Sequence, residues 1–232
     1  METTLIIATL VLALVSYLLG SISFAVIFTN HYAHTDIRQH GSGNAGMTNV
    51  LRTVGKKPAI FTFICDLLKG VVSCLLGKYL MVPILSKILN TDLTSVINPL
   101  YFAYLAGLFC IIGHIYPLYF SFKGGKGVAT TAGIFLVIDW RVCLIAISLF
   151  LVLVAITRTV SVGSITAATA IPILTAVFSD KVTEYSFTLF GLPQYIIITI
   201  LSLLFAVIVV VKHKENIVRI IHGEEKKFGK KK

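Results

Sequence analysis

Residues Thr3–Thr29 read TTLIIATLVLALVSYLLGSISFAVIFT, without one charged side chain. About 20 apolar residues cross the hydrocarbon core of a bilayer as a helix. This run is long enough to span and too long for the apolar part of a cleaved signal, and no Lys or Arg precedes it. It predicts a first membrane span over about 4–29. Working outward, further apolar segments fall at about 58–80, 99–120, 127–138, 142–157, 160–178 and 194–211. The fourth is short: it reads either as a half-helix or as a span that begins inside the Gly-rich loop before it.

Composition agrees with a bilayer as solvent. Of 232 residues, 56% are hydrophobic and 13% charged, with a mean hydropathy of +0.91; a soluble domain is about 25% charged. The expected fold is an all-α integral membrane protein, a seven-transmembrane-helix bundle forming one polytopic domain over 1–232, with a basic tail at 212–232. Cys65, Cys74, Cys110 and Cys143 lie in apolar runs with no CxxC pair, so neither disulfides nor zinc is indicated.

The net charge is +10. In a soluble protein that would suggest nucleic acid, but there is no polar segment with interleaved aromatics to bind it. The basic residues instead sort by side. Arg38, Arg52, Lys56, Lys57, Lys123, Lys126, Arg158, Lys212, Lys214, Arg219, Lys226, Lys227 and Lys230–Lys232 fall in alternate connections and the tail. The opposite side holds Lys78, Lys87, Arg141 and Lys181. Positive charge stays cytoplasmic, so the N-terminus is predicted outside and the C-terminus inside. The segment 81–98, with Pro83, Asn90, Asp92, Asn98 and Pro99, reads as an outer connection, with room for an interfacial helix through Ile84 to Leu89.

The chemistry gathers on the cytoplasmic side. In Gly41-Ser42-Gly43-Asn44-Ala45-Gly46-Met47-Thr48-Asn49-Val50-Leu51-Arg52, glycines let a ligand approach the backbone. Ser42, Asn44, Thr48 and Asn49 offer neutral hydrogen bonds, and Arg52 a planar fork suited to phosphate. In Phe122-Lys123-Gly124-Gly125-Lys126-Gly127-Val128, glycines surround Lys126 where an apolar helix begins, an anion-binding arrangement. It lacks the GxxxxGK[ST] spacing of a nucleotide-binding P-loop. In Thr157-Arg158-Thr159-Val160-Ser161-Val162-Gly163-Ser164, the two serines sit at i and i+3; alone they read as capping or helix contact. His213 and Asn216 share a face of a short amphipathic segment in the tail. Asp66 and Lys69 are charged residues inside the second span, marking either function or structural pairing. His114, closing the third span, reads as a packing histidine.

Together these residues resemble the acyl-phosphate-dependent glycerol-3-phosphate acyltransferase family (PlsY). The resemblance runs from about Tyr17 to Glu225. It is carried by Ser42 to Arg52, by Asp66-x-x-Lys69-Gly70, and by Gly113-His114-Ile115-Tyr116-Pro117 through Thr130. It continues in Thr157-Arg158 with Ser161 and Ser164, and in His213-x-x-Asn216-Ile217-x-Arg219 through Gly223 and Glu225. Met47 and Thr159 depart from the usual pattern, and the outer connections near 81–98 and 179–193 look long.

The resemblance implies glycerol 3-phosphate and acyl phosphate as substrates at the inner face of a bacterial cell membrane, with lysophosphatidate and inorganic phosphate as products. It implies Ser42, Arg52, Lys126, His213 and Asn216 as catalytic. Asn44, Thr48, Asn49, Lys123, Gly124, Gly125, Gly127, Ser161 and Ser164 would bind substrate, and the acyl tail would lie in an apolar groove open to membrane lipid. No metal or cofactor is called for. The substrate's own phosphate takes the proton, or His213 acts as the base. His31-x4-Asp36 fits the His–Asp spacing of other glycerolipid acyltransferases, but their second, Pro-Glu-Gly-like block is missing. A phosphate-anion transporter is the rival class; it would place its broken helices at mid-membrane in inverted repeats, and none is apparent.

Overall fold

The computed structural model describes residues 2–179 and 192–227. The second outer connection with Lys181, and Lys230–Lys232 at the end, lie outside the described residues. Every regular element among the described residues is helical. Two compact units form, residues 1–138 and 139–232.

The first unit opens with α1 (Glu2–Gly20) and α2 (Phe24–Ala33), so the first predicted span is a helix interrupted at Ser21–Ser23. Then come α3 (Met47–Thr53), α4 (Lys56–Leu75) and α5 (Met81–Leu89), the last two joined by a π-turn at Leu76–Leu80. The helix thus runs from Lys56 to Leu89, beyond the expected end near residue 80. A proline inside a helix clashes with the carbonyl four residues back. The wider π-turn immediately upstream lets the chain pass Pro83 without stopping. α6 (Pro99–Ile115) starts with Pro99 at its first turn and the Asn98 side chain accepting from Leu100 N–H at 2.9 Å, a strong start signal. α7 (Val128–Ile138) closes the unit.

α1 packs on α6, and α4 on both α6 and α7. Bare glycines permit the closest approaches. A Cβ on Gly20 would collide with the Cys110 carbonyl, and one on Gly113 with the Tyr17 carbonyl. Between α4 and α7, Gly70 faces the Thr130 carbonyl and Gly133 the Leu67 carbonyl in the same way. Small residues at crossings are how membrane helices gain van der Waals contact without a hydrophobic drive. One apolar cluster joins Leu12, Val82, Leu85 and Phe102; another gathers Ala25, Val26, Ile37, Ala45, Val50 and Ala59 beneath the first Gly-rich loop. Outward faces such as Ile6, Leu10 and Leu14 are exposed, as lipid-facing surfaces are.

The second unit holds α8 (Trp140–Thr157), α9 (Val160–Phe178), α10 (Gln194–Lys212) and α11 (Lys214–Ile221). α9 packs on α8 and α10. Asp139 caps α8, accepting from Arg141 N–H at 3.0 Å. Arg158 ends it in the left-handed region at φ 55°.

Six helical segments among the described residues are long and apolar enough to cross a bilayer: Glu2–Ala33, Lys56–Leu89, Pro99–Phe120, Trp140–Thr157, Val160–Phe178 and Gln194–Lys212. α7 has 11 residues, about 16 Å at 1.5 Å per residue, roughly half the hydrocarbon core.

Candidate active site

In the first unit, the chain leaves α2 and turns at His34. Asp36 accepts from Arg38 N–H at 2.9 Å and grips the Arg38 guanidinium through both oxygens. Arg38 holds the Asp36 carboxyl below its ordinary range. Arg38 also donates to the Phe120 carbonyl at 2.5 Å, tying this loop to the next one. Asp36 is therefore engaged by Arg38 rather than by His31, whose ring meets Tyr32 edge-on. That disposes of the His–Asp base pattern.

Asn49 organises the first Gly-rich loop. Its Oδ1 accepts from Ser42 N–H at 3.0 Å. Its Nδ2 lies within hydrogen-bond reach of the Ile37, His40 and Asn44 carbonyls, at 3.2, 2.9 and 3.1 Å. The side chain is buried and committed to backbone, so it fixes the shape of the loop that presents Ser42. Gly41, at φ +64°, must be glycine on two counts: its conformation, and the Asn49 Oδ1 that occupies the place of a Cβ. Ser42 is exposed, Asn44 and Thr48 are half-buried, and Arg52 is exposed one turn after Thr48 on α3. Thr48 and Arg52 thus share a helix face.

The second loop folds back on the end of α6. Gly124 N–H donates to the Ile115 carbonyl and Gly125 N–H to the His114 carbonyl, both at 3.1 Å. A Cβ on Gly124 would strike the His114 carbonyl; one on Gly125 would meet the His114 ring and the Ala45 carbonyl. The loop is therefore clamped between α6 and the first loop. Two of its N–H groups are spent on that clamp. Beyond that clamp α7 begins, with Thr131 N–H closing on the Gly127 carbonyl at 2.8 Å. The first turn's N–H groups have no partner inside a helix, and the helix dipole favours an anion there. Lys126 is half-buried beside them, while Lys123 is exposed.

Asp66, Lys69 and His114 lie buried below this loop. Lys69 Nζ reaches Asp66 Oδ1 at 2.9 Å, and donates to the Gly20 and Ile22 carbonyls at 2.9 and 2.8 Å. Those two carbonyls are the ones released where the first span breaks.

The second unit carries its own polar cluster. Ser161 Oγ donates to Glu225 Oε1 at 2.5 Å. Asn216 Nδ2 lies 2.7 Å from both Ser161 Oγ and Glu225 Oε1. Arg219 Nε donates to Glu225 Oε2 at 2.8 Å. Ser164 turns its hydroxyl back to the Val160 carbonyl at 3.0 Å. Buried His213 has Nδ1 2.7 Å from the Val209 carbonyl. A carbonyl only accepts, so Nδ1 carries a proton in this contact.

Glu225, Asp36 and Arg38 were not among the expected site residues. For Glu225 the signal was present in the tail motif, but distance along the chain hid its partners. Burial raises the Glu225 carboxyl, yet hydrogen bonds from Ser161, Arg219 and Asn216 leave it below its ordinary value of 4.5. A lowered carboxyl stabilises the fold above its unfolded value, and that stabilisation is lost as pH falls through the lowered one. The tail is thus expected to stay docked from neutral pH down past 4.5 and to release only below that. Glu225→Gln should release it at neutral pH, read as cleavage between α10 and residue 227 by a protease that spares wild type. Equal cleavage of both proteins would refute this.

A family model described as glycerol-3-phosphate acyltransferase matches residues 10–223. The chain is 36% identical over 219 residues to a glycerol-3-phosphate acyltransferase of Thermoanaerobacter sp. (strain X514), covering 94% of this chain and 95% of that one. It is 39% identical over 215 residues to glycerol-3-phosphate acyltransferase 2 of Bacillus anthracis, covering 93% and 96%. Among solved structures it is similar to the crystal structure of PlsY (YgiH), an integral membrane glycerol 3-phosphate acyltransferase, in its glycerol 3-phosphate form. There the TM-score is 0.75 at 31% identity, over 95% of this chain and 96% of that one. The lysophosphatidic acid form gives 0.73 at 30% identity, over 95% of each.

Proposed function

The chain belongs to the glycerol-3-phosphate acyltransferase family, and on that premise we propose that its acyl donor is an acyl phosphate. The group passes to the sn-1 hydroxyl of glycerol 3-phosphate, giving 1-acylglycerol 3-phosphate (lysophosphatidate) and inorganic phosphate. This is the first step of bacterial phospholipid synthesis. The observation that supports the reading is the Gly124–Gly127 loop, clamped on α6 beside Lys126 and the start of α7, an arrangement suited to a phosphate.

The glycerol hydroxyl oxygen attacks the acyl carbonyl carbon, and the bond from that carbon to the phosphate oxygen breaks. The hydroxyl proton ends on the departing phosphate, so atoms and charge balance without a covalent enzyme intermediate. Catalysis then consists of positioning and charge neutralisation. Lys126 and the first turn of α7 hold one phosphate. Arg52, with Thr48 on its face of α3, supplies a fork for phosphate oxygens, and Ser42, with Asn44 beside it, hydrogen-bonds substrate. In the second unit, Ser161 and Asn216 present a fixed polar pair, and the His213 ring is the alternative proton acceptor. The acyl chain runs along apolar, lipid-facing helix surface.

Charge sets the orientation: the Gly-rich loops, Arg158 and the tail carry the basic excess and face the cytoplasm. With α7 and its loop completing a seventh crossing, the N-terminus lies outside and the C-terminus inside the cell membrane.

The test supplies purified protein with glycerol 3-phosphate and either palmitoyl phosphate or palmitoyl-CoA. Lysophosphatidate is expected with the first donor and not with the second. Product from the CoA ester alone would overturn the donor assignment, and flux of glycerol 3-phosphate into proteoliposomes without product would favour a transporter.

A further inference from the structure

The proposed reaction gives Lys69, Asp66 and His114 no chemical step, yet they form one buried chain of contacts ending on the phosphate loop. Lys69 and Asp66 are each 3% exposed and His114 7%. Lys69 is fixed by the two carbonyls of the first span's break and by Asp66, with the Phe24 ring 5.8 Å from its ammonium. Asp66 Oδ1 in turn lies 3.5 Å from His114 Nδ1. The other side of the imidazole faces the loop: a Cβ on Gly125 would collide with His114 Nε2. The His114 carbonyl takes Gly125 N–H at 3.1 Å. One residue thus meets the loop by both ring and backbone, and a carboxylate holds its ring from behind.

Ionisable groups inside a membrane are costly and are retained where they serve function. Apolar residues of similar volume commonly pack a buried site as well as an ion pair does, so packing alone does not account for this set. The Asp66 carboxylate sits between the other two, with Lys69 Nζ 2.9 Å and the His114 ring 3.5 Å from the same oxygen, so it lies directly behind that ring.

We propose that His114, aimed by Asp66, is a positioning residue for phosphate binding. Its ring sets the height of Gly125, and through it the placement of Lys126 and the first turn of α7 against a phosphate. This rests on the reading above that the loop binds phosphate. It applies to the phosphate of glycerol 3-phosphate or of the acyl donor, which share the chemistry.

The test uses full-length protein in detergent. Inorganic phosphate affinity is read from the ligand-dependent shift in unfolding temperature, and KM and kcat are measured for each substrate in turn. For His114→Ala we expect phosphate affinity to fall about tenfold, KM for one phosphate substrate to rise by a similar factor, and kcat to stay within about threefold. Which KM moves tells which substrate the loop grips. Asp66→Asn should weaken phosphate binding in the wild-type background and add less than about twofold to His114→Ala, because it acts through that ring. A purely structural role would instead lower active protein without changing KM, and the two substitutions would multiply.

His114→Gln, closer in volume, carries the same expectation where the alanine variant does not accumulate. Unchanged phosphate affinity in a folded His114 variant overturns the proposal, as does a fall in kcat at constant KM. Failure of wild type to bind phosphate overturns it too. Wild type that binds phosphate but makes no lysophosphatidate would instead sink the proposed reaction, leaving this inference to be judged by binding.

Discussion

Arg52→Ala and Lys126→Ala are each expected to lower kcat/KM for acyl transfer by at least about 100-fold while the protein still inserts and purifies normally. Removing one preorganised charge from a transition-state site typically costs about two to three orders of magnitude. Arg52 stands exposed at the end of α3, so its loss leaves no cavity and no buried partner. Lys126 sits between Gly125 and Gly127, where the backbone is held by the α6 carbonyls. The loop should keep its shape when the ammonium is gone. Arg52→Lys should recover little, because a point charge does not replace a planar fork. Steady-state rates with palmitoyl phosphate and glycerol 3-phosphate provide the measurement, with elution volume in detergent as the folding control. Normal turnover in either variant would remove that residue from the site.

Lys69→Met is expected to affect the fold itself. It leaves Asp66 a buried carboxylate without its ammonium partner and takes the donor from the Gly20 and Ile22 carbonyls. Breaking a buried pair by removing one partner costs about 3–5 kcal/mol, a large part of a stability of about 5–15 kcal/mol. The variant should unfold well below wild type in detergent, or fail to accumulate. Adding Asp66→Asn should restore part of the loss, since the stranded charge is gone while the two carbonyls still lack a donor. An unfolding temperature within a degree or two of wild type for Lys69→Met would mean that the break is held by something else.

The same break shows where sequence reasoning reached its limit. Apolar length and the absence of charge located the first span, but nothing in Ser21-Ile22-Ser23 announces an interruption, because the donor that makes it tolerable lies 47 and 49 residues away. Pro83 pointed to an early end for the second helix, and the π-turn that accommodates it has no clear signature in Leu76–Leu80. The reverse held at Asn98-Pro99, where capping chemistry is local and the expected start at 99 is the start of α6; α8, capped by Asp139, starts at Trp140 rather than near 142.

At the site, residue types were legible and their division of labour was not. The pattern from Gly41 to Arg52 marks a polar loop, yet it does not tell that Asn49 turns inward to brace the loop while Ser42 faces out. Glycines around Lys126 indicated a phosphate loop. That Gly124 and Gly125 spend their N–H groups on α6 depends on tertiary contact alone. Ser161 and Asn216 are 55 residues apart in sequence and 2.7 Å apart in space. Glu225 stands in the tail motif, but its joining of the two shows only once the tail is folded.

The most direct measurement compares sealed membrane vesicles of opposite orientation, each holding the protein and palmitoyl phosphate, with glycerol 3-phosphate added outside where it does not cross the bilayer. Everted vesicles should form lysophosphatidate and inorganic phosphate in equal amounts, and right-side-out vesicles should form neither until they are opened. Product from intact right-side-out vesicles would contradict a site on the cytoplasmic face, and no product from everted or opened vesicles would contradict the acyl-phosphate reaction.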